Sequence, residues 1–418
     1  MNKLIYVLLD GVGDKAEPSL NYITPLEAAY TPYLDSITQK GISGIVYTVG
    51  KGISPESDIA VFCMLGYDIS SNYFGRGVVE AIGVGMDFKQ GDLALRVNFA
   101  TRDRDGVIVD RRAGRDLTPG EARELASAIN KVRLSGGATF EFIPTVSHRA
   151  VVKFRVNGLI LNSEITNTDP AYKRVGGMGI VKETSGKLYL KTSTPLNDSK
   201  EAKLASDIVN EFTEKTQSIL KSHKVNLDRE RNSQKPANVL LLRDAGHVLP
   251  NMPKMSDRFG ISFASILDMP VEKGVARISG MSDFSAGDSG DYKAKANKAL
   301  SLLKKYDCVY VHLKGPDEPG HDGDALKKKK VIELIDSDFF KILVSNVDMG
   351  STTFIVSADH STPCSDKSHS ADPVPIVISG PNVKRDSVCR FTEKEAAKGS
   401  LGIMRGIDVL PKALTYLK

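Results

Sequence analysis

Tryptophan is missing from this chain of 418 residues, and cysteine is scarce. The four cysteines, Cys63, Cys308, Cys364 and Cys389, show no C-x-x-C spacing. That leaves out a zinc ribbon and a disulfide framework, and it points to reduced thiols in a cytoplasmic protein. No apolar run reaches the roughly 18 residues that a membrane crossing needs, and the short N-terminal apolar stretch ends in Asp10, unlike a secretory leader. Internal repeats and low-complexity tracts are absent, which excludes a solenoid or a disordered arm. There is no G-x-S-x-G elbow and no Ser-His-Asp order that would activate a serine by a neighbouring base. The net charge is only +5, and no basic stripe is interleaved with aromatics, so nucleic acid is not an expected partner. The run Lys327 to Lys330 precedes VIELIDSDFFKILVSNV, an amphipathic helical pattern, and reads as a solvated helix start.

Against these absences stands a concentration of carboxylates and imidazoles. Asp317 and His321 lie in GPDEPGH, Asp359 and His360 in SADHS, and His369 in KSHS. The first two groups follow the apolar runs DCVYVHL and TTFIVSA, which read as buried strands, and the opening KLIYVLL runs straight into Asp10-Gly11. Each motif alone is an ordinary turn or cap. Together they place ligands at the carboxyl ends of several strands, where open parallel sheets bind their ligands. Hard oxygen donors mixed with imidazole suit Mn²⁺, Zn²⁺ or Co²⁺.

A hydroxyl joins the set. In GISPESDIAVFCMLGY, Ser54 reads as an N-cap and Pro55 as the first helical residue, so Ser57 falls in the first turn. Unpaired amides and the helix dipole there favour an oxyanion or a phosphate. A serine hydroxyl is a weak nucleophile, but coordination to a cation lowers an oxygen's pKa by several units. Paired ions about 3.5–4 Å apart would hold both oxygens of a phosphoryl displacement.

The length predicts two domains. Residues 1–89 and 236–418 alternate strands with helices, which predicts an α/β core with a mainly parallel sheet between helices. Expected elements include a strand over Lys3–Leu9, a helix over Pro25–Lys40, a strand over Gly44–Val49 and a buried strand in ANVLLLRDAG. The polar VNLDRERNSQKP reads as the linker before that strand. Residues 90–235 differ in texture: DLALRVNFA, GVIVDRR, ATFEFIPT and HRAVVKFRV read as paired strands, with helices over Pro119–Arg133 and Ser199–Ser222, so this is an inserted α+β domain. In the insert, Asp110-Arg111-Arg112-Ala113-Gly114-Arg115 offers guanidinium forks for phosphate and carboxylate, with Arg111 and Arg115 favoured. His148-Arg149 offers an imidazole able to move a proton at neutral pH. The glycine stretch Gly75 to Gly85 has neither a feeding strand nor an acidic partner at the required distance, so it is not a dinucleotide site.

DGVGD, TPLEAAYTPYLDSI, ESDIAVFCMLGYD, GRGVVEAIGVG, DRRAGR, YVHLKGPDEPGHDGD and SADHSTP, taken in this order, resemble the archaeal type of cofactor-independent phosphoglycerate mutase, within the alkaline phosphatase superfamily. The resemblance spans nearly the whole chain. It implies an alkaline-phosphatase-like core interrupted by a domain that closes over substrate and excludes water. Its implied activity is the interconversion of 3- and 2-phosphoglycerate, without added 2,3-bisphosphoglycerate, through a phosphorylated Ser57. Asp10, Ser57, Asp359 and His360 are implied as ligands of one divalent ion, Mn²⁺ first, and Asp317, His321 and His369 as ligands of a second. Arg258 stands where the family usually has a lysine near the phosphate. Ala171-Tyr172 stands where the family pattern has a histidine after proline. Other readings that share the ligand plan are a phosphomonoester hydrolase, another phosphomutase, and a non-catalytic metal-binding protein.

Overall fold

The computed structural model describes residues 2–69, 73–175, 178–181 and 186–417. They form two compact units, the first made of Met1–Asn72, Met252–Asp268 and Val275–Lys418, the second of Tyr73–Asn251 and Met269–Gly274.

The first unit is built on an eight-stranded sheet in the order Ser282–Phe284, Phe263–Ile266, Cys308–Leu313, Lys3–Leu9, Thr352–Ser357, Val374–Ser379, Gly41–Tyr47, Gly402–Arg405. All neighbours run parallel except Val374–Ser379, which is antiparallel to both of its own. The expected mainly parallel α/β core is therefore present. Its three central strands carry no polar side chain at most positions and are almost wholly buried, as strands covered on both faces must be. Leu9 pairs with Leu313, and Leu8 pairs with both His312 and Ser357. The carboxyl ends of these strands are thereby level, and the chain leaves all three on the same sheet edge.

The helix expected over Pro25–Lys40 is two helices, Pro25–Ala28 and Pro32–Thr38. Pro32 disfavours helical backbone at Thr31 and so breaks the run, while Thr24 and Glu27 form a capping box for the first piece. The amphipathic run after the lysines is helical over Ala325–Ile335, passes through a π-type turn at Asp336–Phe340 and continues over Lys341–Asn346. Lys328 in that run is not solvated: its side chain is wholly buried.

The second unit contains a five-stranded antiparallel sheet. Leu93–Arg102 pairs with Ile108–Asp110, Arg149–Val156 and Val239–Gly246, and Ala138–Pro144 pairs with Arg149–Val156. Helices Pro119–Ile129 and Lys200–Ser222 supply the rest of its core, where Phe140, Phe142 and Phe154 pack around Phe212. Two boundary expectations change. Val239–Gly246, assigned above to the parallel core, lies in this sheet, and the first part of the expected linker before it belongs to the helix Lys224–Arg231. A strand buried on both faces reads the same in either kind of sheet, so its pattern could not assign it. Met269–Gly274 clusters here because two helices touch backbone to backbone: a Cβ on Gly83 would stand 1.8 Å from Pro270 O, and one on Gly274 1.9 Å from Val79 O. Among the described residues no helix is long and apolar enough to cross a membrane.

Candidate metal centre and arginine cluster

The seven expected metal ligands converge at the level edge of the first unit's sheet. Asp10 follows Lys3–Leu9, Asp359 and His360 follow Thr352–Ser357, and Asp317 opens the short helix Asp317–Asp322, with His321 one turn on. Gly11 is required beneath them. It has φ +60°, and a Cβ there would stand 2.7 Å from Thr362 Oγ1 and 2.8 Å from Asp317 Oδ1.

Ser57 is the first residue of helix Ser57–Met64. The cap differs from the expectation: Glu56, extended in backbone, is the N-cap in place of Ser54, and Pro55 lies outside the helix. Ser54 Oγ instead donates to His369 O at 2.9 Å, and Pro55 O accepts from His369 Nδ1 at 2.9 Å. Tertiary bonds to the His369 loop have taken the groups that a local cap would have used.

The distances suit a bound cation. Ligands about 2.1 Å from a tetrahedrally held ion lie roughly 3.4 Å from one another. His360 Nε2 is 3.4 Å from Asp10 Oδ1, 3.3 Å from Asp359 Oδ2 and 3.3 Å from Ser57 Oγ. Asp317 Oδ1 is 3.5 Å from His321 Nε2 and 3.7 Å from His369 Nε2. Among the described residues, Asp10 Oδ1 and Asp359 Oδ2 are buried and accept no hydrogen bond, a costly arrangement unless a cation lies between them. The imidazoles are oriented for the same purpose. Nδ1 of His321 donates to Lys367 O at 2.9 Å and Nδ1 of His369 to Pro55 O, which leaves each Nε2 with its lone pair toward the cluster. The rings of His360 and His369 stack at 3.7 Å.

The electrostatics agree. Burial pushes the Asp10 carboxyl up, but Lys314 and His360 outweigh it and hold the group well below the usual carboxylate range. Burial pulls His360 down, while Asp359, Asp10 and Asp317 lift its pKa to about 9. These carboxylates thus gather positive charge at the His360 Nε2 position, as a proton or as a metal ion.

Sequence reasoning missed three neighbours of this cluster. Lys314 Nζ donates to Asp10 Oδ2 at 2.8 Å, His312 Nε2 lies 3.4 Å from Asp359 Oδ2, and Thr362 bridges two ligands. Polar residues within or just after the buried strand YVHL, and within SADHSTP, were the available signal. Arg258, by contrast, is exposed on the short helix Met255–Phe259 and stacks over Tyr67 and Phe259, at 4.5 and 4.8 Å from the ring centroids. The described contacts do not bring it to Ser57.

The second unit concentrates arginines. Arg96 pairs with Glu80 at 2.9 Å and with Asp244 at 3.0 Å, and Arg76 pairs with Glu80 at 3.1 Å. Arg111 makes a two-pronged bond to buried Asp169, which also takes Arg243 at 3.3 Å, and the guanidinium carbons of Arg111 and Arg243 lie 4.9 and 4.7 Å from the Tyr172 ring centroid. The Arg149 guanidinium has no hydrogen bond or ion pair among the described residues, its backbone being held by Thr145 and Val146. Burial and then the charge of Arg96 pull its pKa down to about 10, so it remains a cation crowded by cations. His148 is buried in the same group. Burial, then Arg149, Arg243 and Arg115, push it to about 3 and keep the imidazole neutral at physiological pH. Of the other expected residues, Asp110 accepts from Lys235 Nζ and from Arg112 N, and Arg115 is exposed with its carbonyl bonded to Ser147 Oγ. Arg76, Arg96 and Arg243 were not anticipated, although an arginine inside an apolar strand, as in LALRVNFA and LLLRDAG, is a signal in itself.

The sheet, the carboxylate- and imidazole-bearing edge and the helix that begins at Ser57 define the class first: a mainly parallel α/β core with a candidate metal centre. Comparison with known proteins is more specific. The family described as 2,3-bisphosphoglycerate-independent phosphoglycerate mutase matches residues 38–226. A relative of that name from Aeropyrum pernix is 42% identical over 99% of both chains, and one from Pyrococcus abyssi is 39% identical over 98% of this chain and 96% of its own. Among solved structures, a cofactor-independent phosphoglycerate mutase from Thermoplasma acidophilum covers all of both chains at 33% identity with a TM-score of 0.67. A protein from Pyrococcus horikoshii covers 100% of this chain and 97% of its own, at 31% identity and a TM-score of 0.82. The chain belongs to the 2,3-bisphosphoglycerate-independent phosphoglycerate mutase family.

Proposed function

We propose that this enzyme interconverts 3-phosphoglycerate and 2-phosphoglycerate, without 2,3-bisphosphoglycerate, through a phosphorylated Ser57. The observation that carries the proposal is the Ser57 hydroxyl at a helix start, 3.3 Å from His360 Nε2 in a cluster of orphaned carboxylate oxygens. Two divalent ions, one held by Asp10, Ser57, Asp359 and His360 and the other by Asp317, His321 and His369, supply when bound the positive charge that acidifies the hydroxyl and offsets phosphoryl charge. The donor set suits Mn²⁺ first, then Zn²⁺ or Co²⁺.

Ser57 Oγ forms its bond to phosphorus as the bond to glycerate O3 breaks, and the helix start stabilises the phosphoserine. Lys314, already at Asp10, adds a cation beside the reacting group. The arginines of the second unit hold glycerate by its carboxylate, with Arg149 the free fork. His148 stays neutral in the unliganded protein, and an anion docked among the arginines raises its pKa. Its imidazole then exchanges a proton with the glycerate hydroxyls, so that the 2-hydroxyl can take the phosphoryl group from Ser57. Water must be kept out, or phosphoserine is hydrolysed. The reaction places the enzyme in glycolysis and gluconeogenesis, in the cytoplasm.

The test is a mutase assay on metal-stripped protein across a series of ions. With Mn²⁺ restored and no 2,3-bisphosphoglycerate added, 2-phosphoglycerate should accumulate with little phosphate release, and chelator should return the rate to background. Phosphate release that matches or exceeds isomerisation would instead identify a hydrolase. A second measurement addresses the arginines. Arg149→Met should raise KM for phosphoglycerate by about 10–100-fold, the value of one charge-assisted fork, without lowering thermal stability, because it removes a crowded cation. An unchanged KM would remove Arg149 from substrate binding.

A further inference from the structure

Thr362 belongs to neither set of ligands, yet it touches both. Its hydroxyl donates to Asp317 Oδ1 at 2.7 Å and lies 3.0 Å from His360 Nδ1. A hydroxyl has one proton to give. With that proton on the carboxylate side, the imidazole must supply the other, so His360 Nδ1–H donates to Thr362 Oγ1. This fixes the ring so that Nε2 faces Asp10 and Asp359. Asp317 faces His321 and His369 in the other half of the cluster. One side chain therefore orients a ligand from each half.

The residue is itself held firmly. It is wholly buried, its N–H donates to Gly13 O at 3.0 Å, and its carbonyl accepts from buried Lys328 Nζ at 2.9 Å. The bare Cα of Gly11 leaves room for the hydroxyl, which would stand 2.7 Å from any Cβ placed there. Backbone, ammonium and glycine thus fix Oγ1 between two ligands from different strand ends. Such a position is more than a residue filling space in a loop requires.

We propose that Thr362 is a positioning residue that couples the two metal positions, holding Asp317 and His360 together so that filling either position prepares the other. The proposal rests on the two-metal reading above. Hydrogen bonds that orient ligands are commonly worth 10–100-fold in metal affinity.

The experiment is calorimetric titration of metal-stripped protein with Mn²⁺, using wild type, Thr362→Val and Thr362→Ser, with circular dichroism as the fold check. Valine keeps the shape but leaves Asp317 Oδ1 without its donor and His360 Nδ1–H without an acceptor. Both ions should bind about 10–100-fold more weakly to the valine variant, and serine should restore affinity to within a few-fold. The lost kcat should largely return at saturating Mn²⁺ with KM for phosphoglycerate unchanged, a recovery that general damage to the fold would not show. If the valine variant does not fold, Thr362→Ala, which is smaller than the native residue, takes its place. Two ions bound at wild-type affinity by a folded variant would overturn the proposal and leave the metal reading intact. Weakening of one position alone would overturn the coupling. A wild type that binds no divalent ion would overturn the metal reading itself, and the coupling with it.

Discussion

Ser57→Ala should lower phosphoglycerate interconversion by ~10⁴-fold or more, to the level of protein lacking metal, while the fold persists. The magnitude follows from the lack of a substitute nucleophile beside Ser57 in the same stretch of described chain. Ser54 is committed to the His369 carbonyl, on exposed chain outside the helix. Alanine at the first position of Ser57–Met64 removes a half-buried hydroxyl and its contact with His360, worth about 1 kcal/mol to the fold. Melting temperature should therefore move little, and the variant should still bind Mn²⁺ through Asp10, Asp359 and His360. The decisive measurement pairs the mutase rate with the phosphate content of protein quenched during turnover. Wild type should carry acid-stable phosphate on Ser57, and the variant none. Substantial residual turnover by the alanine variant would refute a phosphoserine route. Ser54→Ala is the control, since its hydroxyl steadies the His369 loop from outside the cluster, and it should retain much of the rate.

The candidate metal ligands, and their convergence on one sheet edge, were legible because their signal is local: an apolar run followed by a carboxylate or imidazole is visible wherever a buried strand ends. Lys3–Leu9, Cys308–Leu313 and Thr352–Ser357 were readable for the same reason. What could not be read is what depends on partners distant in sequence. Val239–Gly246 has the composition of a core strand and pairs in the other sheet. Ser54 and Pro55 form a plausible helix start, but bonds to His369, more than 300 residues away, draw them out of it.

The second unit was legible in composition more than in detail. DRRAGR and His148-Arg149 were recognised as basic, but which arginine remains free depends on which carboxylates fold beside it. Asp169 takes up Arg111, and Glu80 and Asp244 take up Arg96. Arg149 is left over because Glu80, whose charge reaches it, is already paired with Arg76 and Arg96. No spacing along the chain reports such a balance.

Lys328→Met should destabilise the protein by about 3–5 kcal/mol, the usual cost of removing one partner from a buried ion pair. Nothing in the run of four lysines singles it out from Lys327, Lys329 and Lys330. Its ammonium is wholly buried, and its three N–H groups are matched by Gly13 O at 3.0 Å, Asp14 Oδ2 at 2.8 Å and Thr362 O at 2.9 Å. Methionine preserves most of the volume, so the loss is electrostatic. Asp14 would remain buried and charged, held only by neutral donors such as the amides of Lys15 and Cys364. The acid beside it adds to the cost: Glu393 accepts from Asp14 N at 3.1 Å, and burial already pushes its carboxyl up to about 7 with Lys328 among the groups opposing that rise. Without the ammonium, both acids lose a counter-charge. Gly13 and Thr362 lie on the chain segments that carry Asp10 and His360, so the same change should also loosen Mn²⁺ binding. Lys330→Met, on the exposed face of the same helix, should stay within about 0.5 kcal/mol of wild type. Chemical denaturation of the three proteins decides the matter. If Lys328→Met unfolds at the same denaturant concentration as Lys330→Met, the buried ammonium contributes nothing to holding the two ligand-bearing loops together.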